Sequence, residues 1–367
     1  MSQVYSKSDL PGVLLYCRPG FEADCARELH LIAETAGVAT APRFEADGGF
    51  VYSGPITAEG HSTLRNELSW QNLIFARQVI FGAVYTGSLP AEDRVTPVMD
   101  LVKLQVLEYA GTKGFGTVLV DHPDSDPGRE LAKFCDSLTR PMGNALKRYE
   151  LLEKPTPGKR VPKLHLFLMN AGHGFVGFSD LKSSAPWPLG IPRLKFPTGA
   201  PSRSILKLEE AFLTFFDRDE ISEVLRNGMR AVDLGASPGG WTWYLVKKQL
   251  FVTAVDNGAI APELIATGMV EHVKADAFKY FPRQTVDWLV CDVIEQPSRI
   301  AALIGEWLEK GLTRHVVFNL KLPMKNCLQE VQSCLKILSG PLRKHGLKAR
   351  AKQLYHDRRE VTVIVMP

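Results

Sequence analysis

The sequence predicts an α/β protein, and three observations carry that prediction. From residue 205 onward, apolar strand-like runs alternate with helical stretches, which argues for a mostly parallel sheet covered on both faces. The stretch "AVDLGASPGGWTWYLV", residues 231–246, carries a short strand into an acid, then through a glycine-rich turn into a helix. Before residue 182 lie two smaller stretches of mixed strands and helices.

Each element follows from local pattern. Residues 12–54 read as strand "VLLYC", turn "RPG", helix "FEADCARELHLIAETAG" and strand "GFVYSG". In 65–182, "TVLVDHP" reads as a strand. "GRELAKFCDSLTRPMGNALKRYELL" reads as helical, with Pro141 expected to break or restart it. "KLHLFLMN" and "GFVGFSD" follow as strands joined by a Gly/His turn. The segment 183–204 is dense in Pro and Gly, has no period, and reads as a linker. Beyond it, "SRSILKLEEAFLTFF" sets Ile205, Leu208, Phe212 and Phe216 on one helical face. Lys207 falls outside that stripe and is as readily a solvated lysine as a catalytic one. "KARAKQLYHDRREVTVIVMP" reads as two strands joined by a charged turn.

Composition bounds the possibilities. A chain of 367 residues, 45% hydrophobic and 23% charged, has an ordinary globular make-up and room for roughly two or three domains. No apolar run approaches the ~18–20 residues of a membrane span, and "MSQVYSKSDLPG" lacks a signal peptide's basic-then-apolar order. The 6 cysteines show no C-x-x-C spacing, so reduced thiols in a cytoplasmic protein are expected. No histidine pairs with a cysteine at zinc-ligand spacing, so no metal is expected. A net charge of +4 permits nucleic acid without requiring it. Without a coiled-coil pattern or a long exposed apolar face, a monomer is expected.

The glycine turn narrows the chemistry. A P-loop needs a lysine after its last glycine, and Gly240 is followed by Trp241. The G-x-G-x-x-G fingerprint of dinucleotide enzymes fails as well, because the turn reads G-A-S-P-G-G. That absence counts against a nicotinamide oxidoreductase. The next strand, "FVTAVD", ends in Asp256, placed to accept both hydroxyls of an adenosine ribose. A turn built for close approach but without a pyrophosphate signature favours S-adenosylmethionine. A turn that merely packs helix on strand is the simpler alternative. Asp276, Asp292 and Lys321 each fall near the end of a later strand, and ligands of open parallel sheets bind outside those ends. Any one such acid is more often a cap or turn residue. Lys321, in so apolar a strand as "RHVVFNLKL", calls for a partner or a task. An antiparallel last strand would put Glu360 on the same rim.

"SRSILKLEEAF", "VDLGASPGGWT", "VCDV", "FNLKLPMK" and "DRREVTVIV" resemble, in this order, the motifs of the FtsJ-like (RrmJ-like) ribose 2'-O-methyltransferases. The resemblance implies a Rossmann-like, seven-stranded methyltransferase sheet bearing a Lys-Asp-Lys-Glu tetrad, here Lys207, Asp292, Lys321 and Glu360. It implies S-adenosylmethionine as cofactor, held by Ser204, Ser237, Pro238, Gly239, Gly240, Asp256, Asp276 and Asp292. With "CRPGFE", "IFARQ", "GIPRLKFP" and "LYHD", the whole chain is similar to bacterial enzymes that methylate a cytidine ribose in 23S rRNA, in the peptidyl-transferase region. The implied organisation is a ferredoxin-like subdomain (1–60), a THUMP RNA-binding domain (61–182), a linker (183–200) and the methyltransferase domain (201–367). Ser237 is cysteine in some relatives, a small change where the turn works through its backbone.

A 2'-hydroxyl is a weak nucleophile and needs a base in line with the sulfonium methyl. A lysine can serve when a neighbouring cation and partial desolvation lower its pKa. Lys207 beside Lys321 would supply that cation, and family resemblance favours Lys321 as the base. Rival readings are a methyltransferase for another RNA and a non-catalytic RNA-binding module, which would have lost a tetrad member. Candidate phosphate contacts are Arg193 and Lys195; Lys159, Arg160 and Lys163; and Arg343, Lys344, Lys348, Arg350 and Lys352.

Overall fold

The computed structural model describes residues 11–154 and 161–367. It divides into two compact units, 1–192 and 193–367, each built on a mixed α/β sheet of seven strands.

In the first unit the strands are β1 (Gly12–Cys17), β2 (Pro42–Arg43), β3 (Phe50–Ser53), β4 (Ala76–Tyr85), β5 (Thr117–Asp121), β6 (Lys163–Asn170) and β7 (His173–Ser179). Their order is β2-β3-β1-β4-β7-β6-β5. β4 was not legible as a strand, yet it is the seam. It pairs with β1 through Ala76–Ala83 and with β7 through Phe81–Tyr85, across a register shift between Phe81 and Val84. Every residue of β4 is buried, so the polar–apolar alternation that marks a half-exposed strand is missing. One sheet thus runs through both of the stretches that composition separates.

Pro141 does not break its helix. The helix runs unbroken over Ala132–Arg148, with Pro141 on the exposed side, where water can satisfy the carbonyl that loses its partner. β5 and β6 pair in parallel. Behind them is a buried polar cluster: Asp121 Oδ2 accepts from Tyr16 at 3.2 Å and faces His165 Nδ1 at 3.2 Å, and His165 Nε2 meets Ser179 Oγ at 2.7 Å. All four residues are buried, so this Ser-His-Asp arrangement secures the sheet and has no open face for a substrate.

In the second unit the strands are β8 (Arg230–Leu234), β9 (Phe251–Val255), β10 (Val270–Val273), β11 (Trp288–Cys291), β12 (His315–Lys321), β13 (Lys348–Lys352) and β14 (Glu360–Met366), in the order β10-β9-β8-β11-β12-β14-β13. The first five are parallel and β14 is antiparallel to both neighbours. The helix Ile205–Phe215 packs the predicted stripe into the core, with Phe212 stacked on Tyr244 and set edge-on to Trp288. All six cysteines are buried free thiols. Among the described residues, no helix is long and apolar enough to cross a membrane, and no cluster of histidine, cysteine or carboxylate side chains could hold a metal ion.

Candidate active site

The strand order reverses between β8 and β11, and at such a switch point the crossovers leave on opposite faces and open a crevice at the carboxyl ends. The glycine turn lies there. Gly239 has φ +116, and a Cβ on Gly240 would collide with Ser204 Oγ, so only glycine lets the turn close on the start of the Ile205–Phe215 helix. Trp241 Nε1 donates to the Ser204 carbonyl at 2.9 Å and fixes the two together. Ser237 and Pro238 are exposed on the crevice side of the turn, while Gly239 and Gly240 are buried beneath it.

Asp256 directly follows β9. Its Oδ2 accepts the Ser237 N–H at 3.0 Å and its Oδ1 the Gly258 N–H at 2.7 Å, tying the turn to the next loop. Each carboxylate oxygen keeps a lone pair for a further donor. Asp276 is less committed to the sheet than the sequence suggests. β10 stops at Val273, and Asp276 sits exposed in the turn beyond it, capping Phe278 N–H at 2.9 Å. Asp233, near the end of β8, is buried with Thr242 Oγ1 donating to it at 2.6 Å. Burial and the Asp292 and Asp256 carboxylates push its pKa up to about 7, against the pull of the Thr242 bond.

Across the crevice four charged side chains meet. Lys321 ends β12 and Glu360 begins β14 as direct cross-strand partners, and Lys207 reaches in from the helix Ile205–Phe215. Lys207 Nζ donates to Glu360 Oε2 at 2.7 Å and lies 3.4 Å from both Asp292 oxygens. Lys321 Nζ lies 2.5 Å from Glu360 Oε1 and 3.9 Å from Asp292 Oδ1. Lys207 is therefore not a solvated surface residue. Burial pulls its pKa down, but the attraction of Asp292 and of Glu360, together with the hydrogen bond to Glu360, outweighs burial and leaves it raised, so Lys207 is held as an ammonium. Glu360 shows the complement: burial raises it, Lys207 and Lys321 lower it, and the net shift is downward.

Sequence reasoning missed what stands behind these groups. Asn319, fully buried in β12, donates from Nδ2 to Asp292 Oδ1 at 2.8 Å. Glu210 accepts the N–H groups of Tyr355 and His356 at 2.7 and 2.8 Å and so holds the loop that leads into β14. A polar residue inside the apolar run "VVFNLKL" was the available signal for Asn319. Glu210 left none, since helix faces routinely carry glutamate.

The basic sets fare unevenly. Arg193, Lys195, Arg343 and Lys348 are exposed. Lys352 is buried and Arg350 donates to the Phe215 carbonyl at 2.8 Å, which removes these two as open phosphate contacts, while Lys344 is exposed and shares its charge with Glu309 on the surface. Lys163 is half-buried and its pKa is lowered by that burial; Lys159 and Arg160 lie outside the described residues.

The second unit is a methyltransferase of the FtsJ-like class, whose family residues 200–339 match. Its exposed turn residues Ser237 and Pro238 at the carboxyl ends, a carboxylate after β9 and no lysine for a pyrophosphate fit S-adenosylmethionine, the cofactor of this class. Residues 10–80 match the RlmM ferredoxin-like domain, and 93–180 the N-terminal family of ribosomal RNA large subunit methyltransferase M. The chain belongs to the ribosomal RNA large subunit methyltransferase M family. It is 43% identical over 357 residues to the protein of that name from Xanthomonas campestris pv. campestris (strain B100), covering 97% of this chain and 99% of the relative. The protein from Xanthomonas oryzae pv. oryzae (strain PXO99A) is 44% identical over 358 residues with the same coverage. Among solved structures, TrmN from Thermus thermophilus is similar at 16% identity and a TM-score of 0.36, covering 96% of this chain and 98% of that one.

Proposed function

We propose that the protein methylates the ribose 2'-hydroxyl of a cytidine in 23S rRNA. The observation that carries this reading is the convergence of Lys207, Asp292, Lys321 and Glu360 into one ion-paired cluster beside the glycine turn. Bound S-adenosylmethionine supplies a methyl group activated by its sulfonium. Ser204, the turn Ser237 to Gly240, Asp256, Asp276 and Asp292 would hold it. Lys321 takes the 2'-hydroxyl proton: its side chain is 26% exposed against 15% for Lys207, so it is the amine more open to an incoming ribose. Lys207 remains a fixed cation, and Asp292 and Glu360 orient the two amines.

The large-subunit rRNA substrate is supported by the relatives' name, and the cytidine 2'-position by the likeness of the motifs to ribose methyltransferases. In this reading the ferredoxin-like (1–60) and THUMP (61–182) parts recognise RNA, 183–200 links them to the methyltransferase domain (201–367), and the enzyme works as a cytoplasmic monomer. Mass spectrometry of 23S rRNA fragments from a deletion strain tests the proposal. One cytidine should lack its ribose methyl, which the parent gene restores and Lys321→Met does not. A full complement of ribose methyls in the deletion strain overturns it.

A further inference from the structure

Thr362 poses a question of proton count. It faces Asn319 across the β12–β14 ladder, two rungs inward from Lys321 and Glu360 and so on the same side. Its hydroxyl lies 2.8 Å from Asn319 Oδ1 and 2.9 Å from Asp357 Oδ2. All three residues are fully buried. A threonine hydroxyl has one hydrogen, so it can donate to one of those oxygens and must accept from the other.

The direction follows from the active-site end. Asp292, engaged with the Lys207 ammonium, accepts hydrogen bonds, so the Asn319 amide must turn its NH2 toward it, as observed at 2.8 Å. That leaves Asn319 Oδ1 facing Thr362 and needing a donor. Thr362 spends its only hydrogen there. Its lone pair then faces Asp357 Oδ2, and two acceptors at 2.9 Å in a buried site would repel. The contact is favourable when Asp357 carries a hydrogen on that oxygen.

We propose that Asp357 is protonated in the working enzyme and heads a relay, Asp357 to Thr362 to Asn319 to Asp292, that fixes the rotamer of the tetrad aspartate. Asp357 and Thr362 are positioning residues in this scheme and touch no substrate. The surroundings agree. Burial raises the Asp357 pKa well above the ordinary range, the Glu360 and Glu210 carboxylates add to that, and Lys207 opposes them, as would a Thr362 hydroxyl turned to donate. Leu354 N–H also reaches Oδ2 at 3.2 Å, which the second lone pair of a protonated oxygen accommodates. The proposal rests on Asp292 belonging to the catalytic tetrad.

Two measurements on the full chain test it. In protein labelled with 13C at the aspartate carboxyls, one resonance should sit at the protonated-acid position at pH 8, above the Asp233 titration, and vanish in Asp357→Asn. An ionised Asp357 at that pH overturns the proposal. In single-turnover methyl transfer, Thr362→Val should slow the reaction about tenfold with unchanged cofactor affinity, and Thr362→Ser, which keeps the hydroxyl, should restore it. A structural role alone would not separate valine from serine in rate while cofactor affinity and melting temperature match the parent. A parental rate for Thr362→Val beside a slow Asp292→Asn overturns the relay alone. A parental rate for Asp292→Asn overturns the reading of the tetrad, and the relay's catalytic purpose with it.

Discussion

Lys321 and Glu360 are direct partners on the last rung of the β12–β14 ladder, and their side chains close to 2.5 Å. This pairing builds the site without any loop: the strand register itself sets an amine against a carboxylate. Because Glu360 also accepts from Lys207, neutralising it weakens the hold on two amines at once and leaves Asp292 as the charge they share. Glu360→Gln should lower stability by about 1–3 kcal/mol, the scale of hydrogen bonds to charged groups in a partly exposed site. The pH limits follow from the shifts. The raised Lys207 pKa contributes stability below its unfolded value, lost as pH rises through the folded one. The lowered Glu360 pKa contributes above its unfolded value, lost as pH falls through the folded one. Denaturation of parent and variant should therefore differ most between these limits, from weakly acid to weakly alkaline pH, and an equal midpoint there would contradict the pairing.

Asp256 has two tasks in this structure, holding the Ser237 N–H and, in the proposed function, the cofactor's ribose. Asp256→Ala should weaken S-adenosylmethionine binding by about 1–3 kcal/mol. Calorimetry giving an unchanged affinity in a folded variant would put the ribose elsewhere.

Much of this site was legible in the sequence because parallel strands deliver their ends to one rim. Asp256, Asp292 and Lys321 need only strand order to fall on that rim. Glu360 needed one further step, the antiparallel direction of β14, and Lys207 needed the third dimension. It lies off the apolar stripe of its helix, and only the packing of that helix on the glycine turn aims it at Asp292. β4 was lost for the opposite reason, being buried throughout and so without alternation. Asp357 was hidden because a carboxylate in "YHDRRE" reads as turn chemistry, and nothing in the one-dimensional pattern says it is enclosed.

Asp233 makes a separate prediction about pH. Its pKa is about 7 in the folded chain against an ordinary 3.8. The folded state thus holds a proton that the unfolded state has lost, so stability falls as pH rises between these values, by about 1.4 kcal/mol per unit at most, and levels off above 7. Asp233→Asn keeps an acceptor for Thr242 and carries no ionisable proton. Urea denaturation should show a smaller loss of stability from pH 5.5 to 8 in the variant than in the parent. Equal slopes would mean that Asp233 is ionised throughout.

For RNA capture the exposed basic residues are the testable set. Reversing Arg193 and Lys195 together with Arg343 and Lys348 should weaken rRNA binding and flatten its dependence on salt, since each phosphate contact releases counterions. Lys352→Glu belongs outside that comparison because it would bury a charge and test folding. An unchanged salt slope in the fourfold variant removes both patches from the interface.

The assignment of roles to the two lysines can be decided by arginine. Arginine keeps the charge and cannot give up its proton, so it can replace a fixed cation and cannot replace a base. Lys207 is held as an ammonium by two carboxylates, whereas Lys321 is the more exposed amine. Lys321→Met and Lys321→Arg should both lower single-turnover methyl transfer by about 100-fold to 10,000-fold, the range of a general base. Cofactor affinity should barely change, because the terminal amine faces the ribose of the RNA in the proposed geometry. Lys207→Met should also be slow, since it removes the cation that Asp292 and Glu360 are arranged around. Lys207→Arg should recover most of that loss. If Lys207→Arg proves as damaging as Lys207→Met while Lys321→Arg retains activity, the proton goes to Lys207 and the two roles must be exchanged.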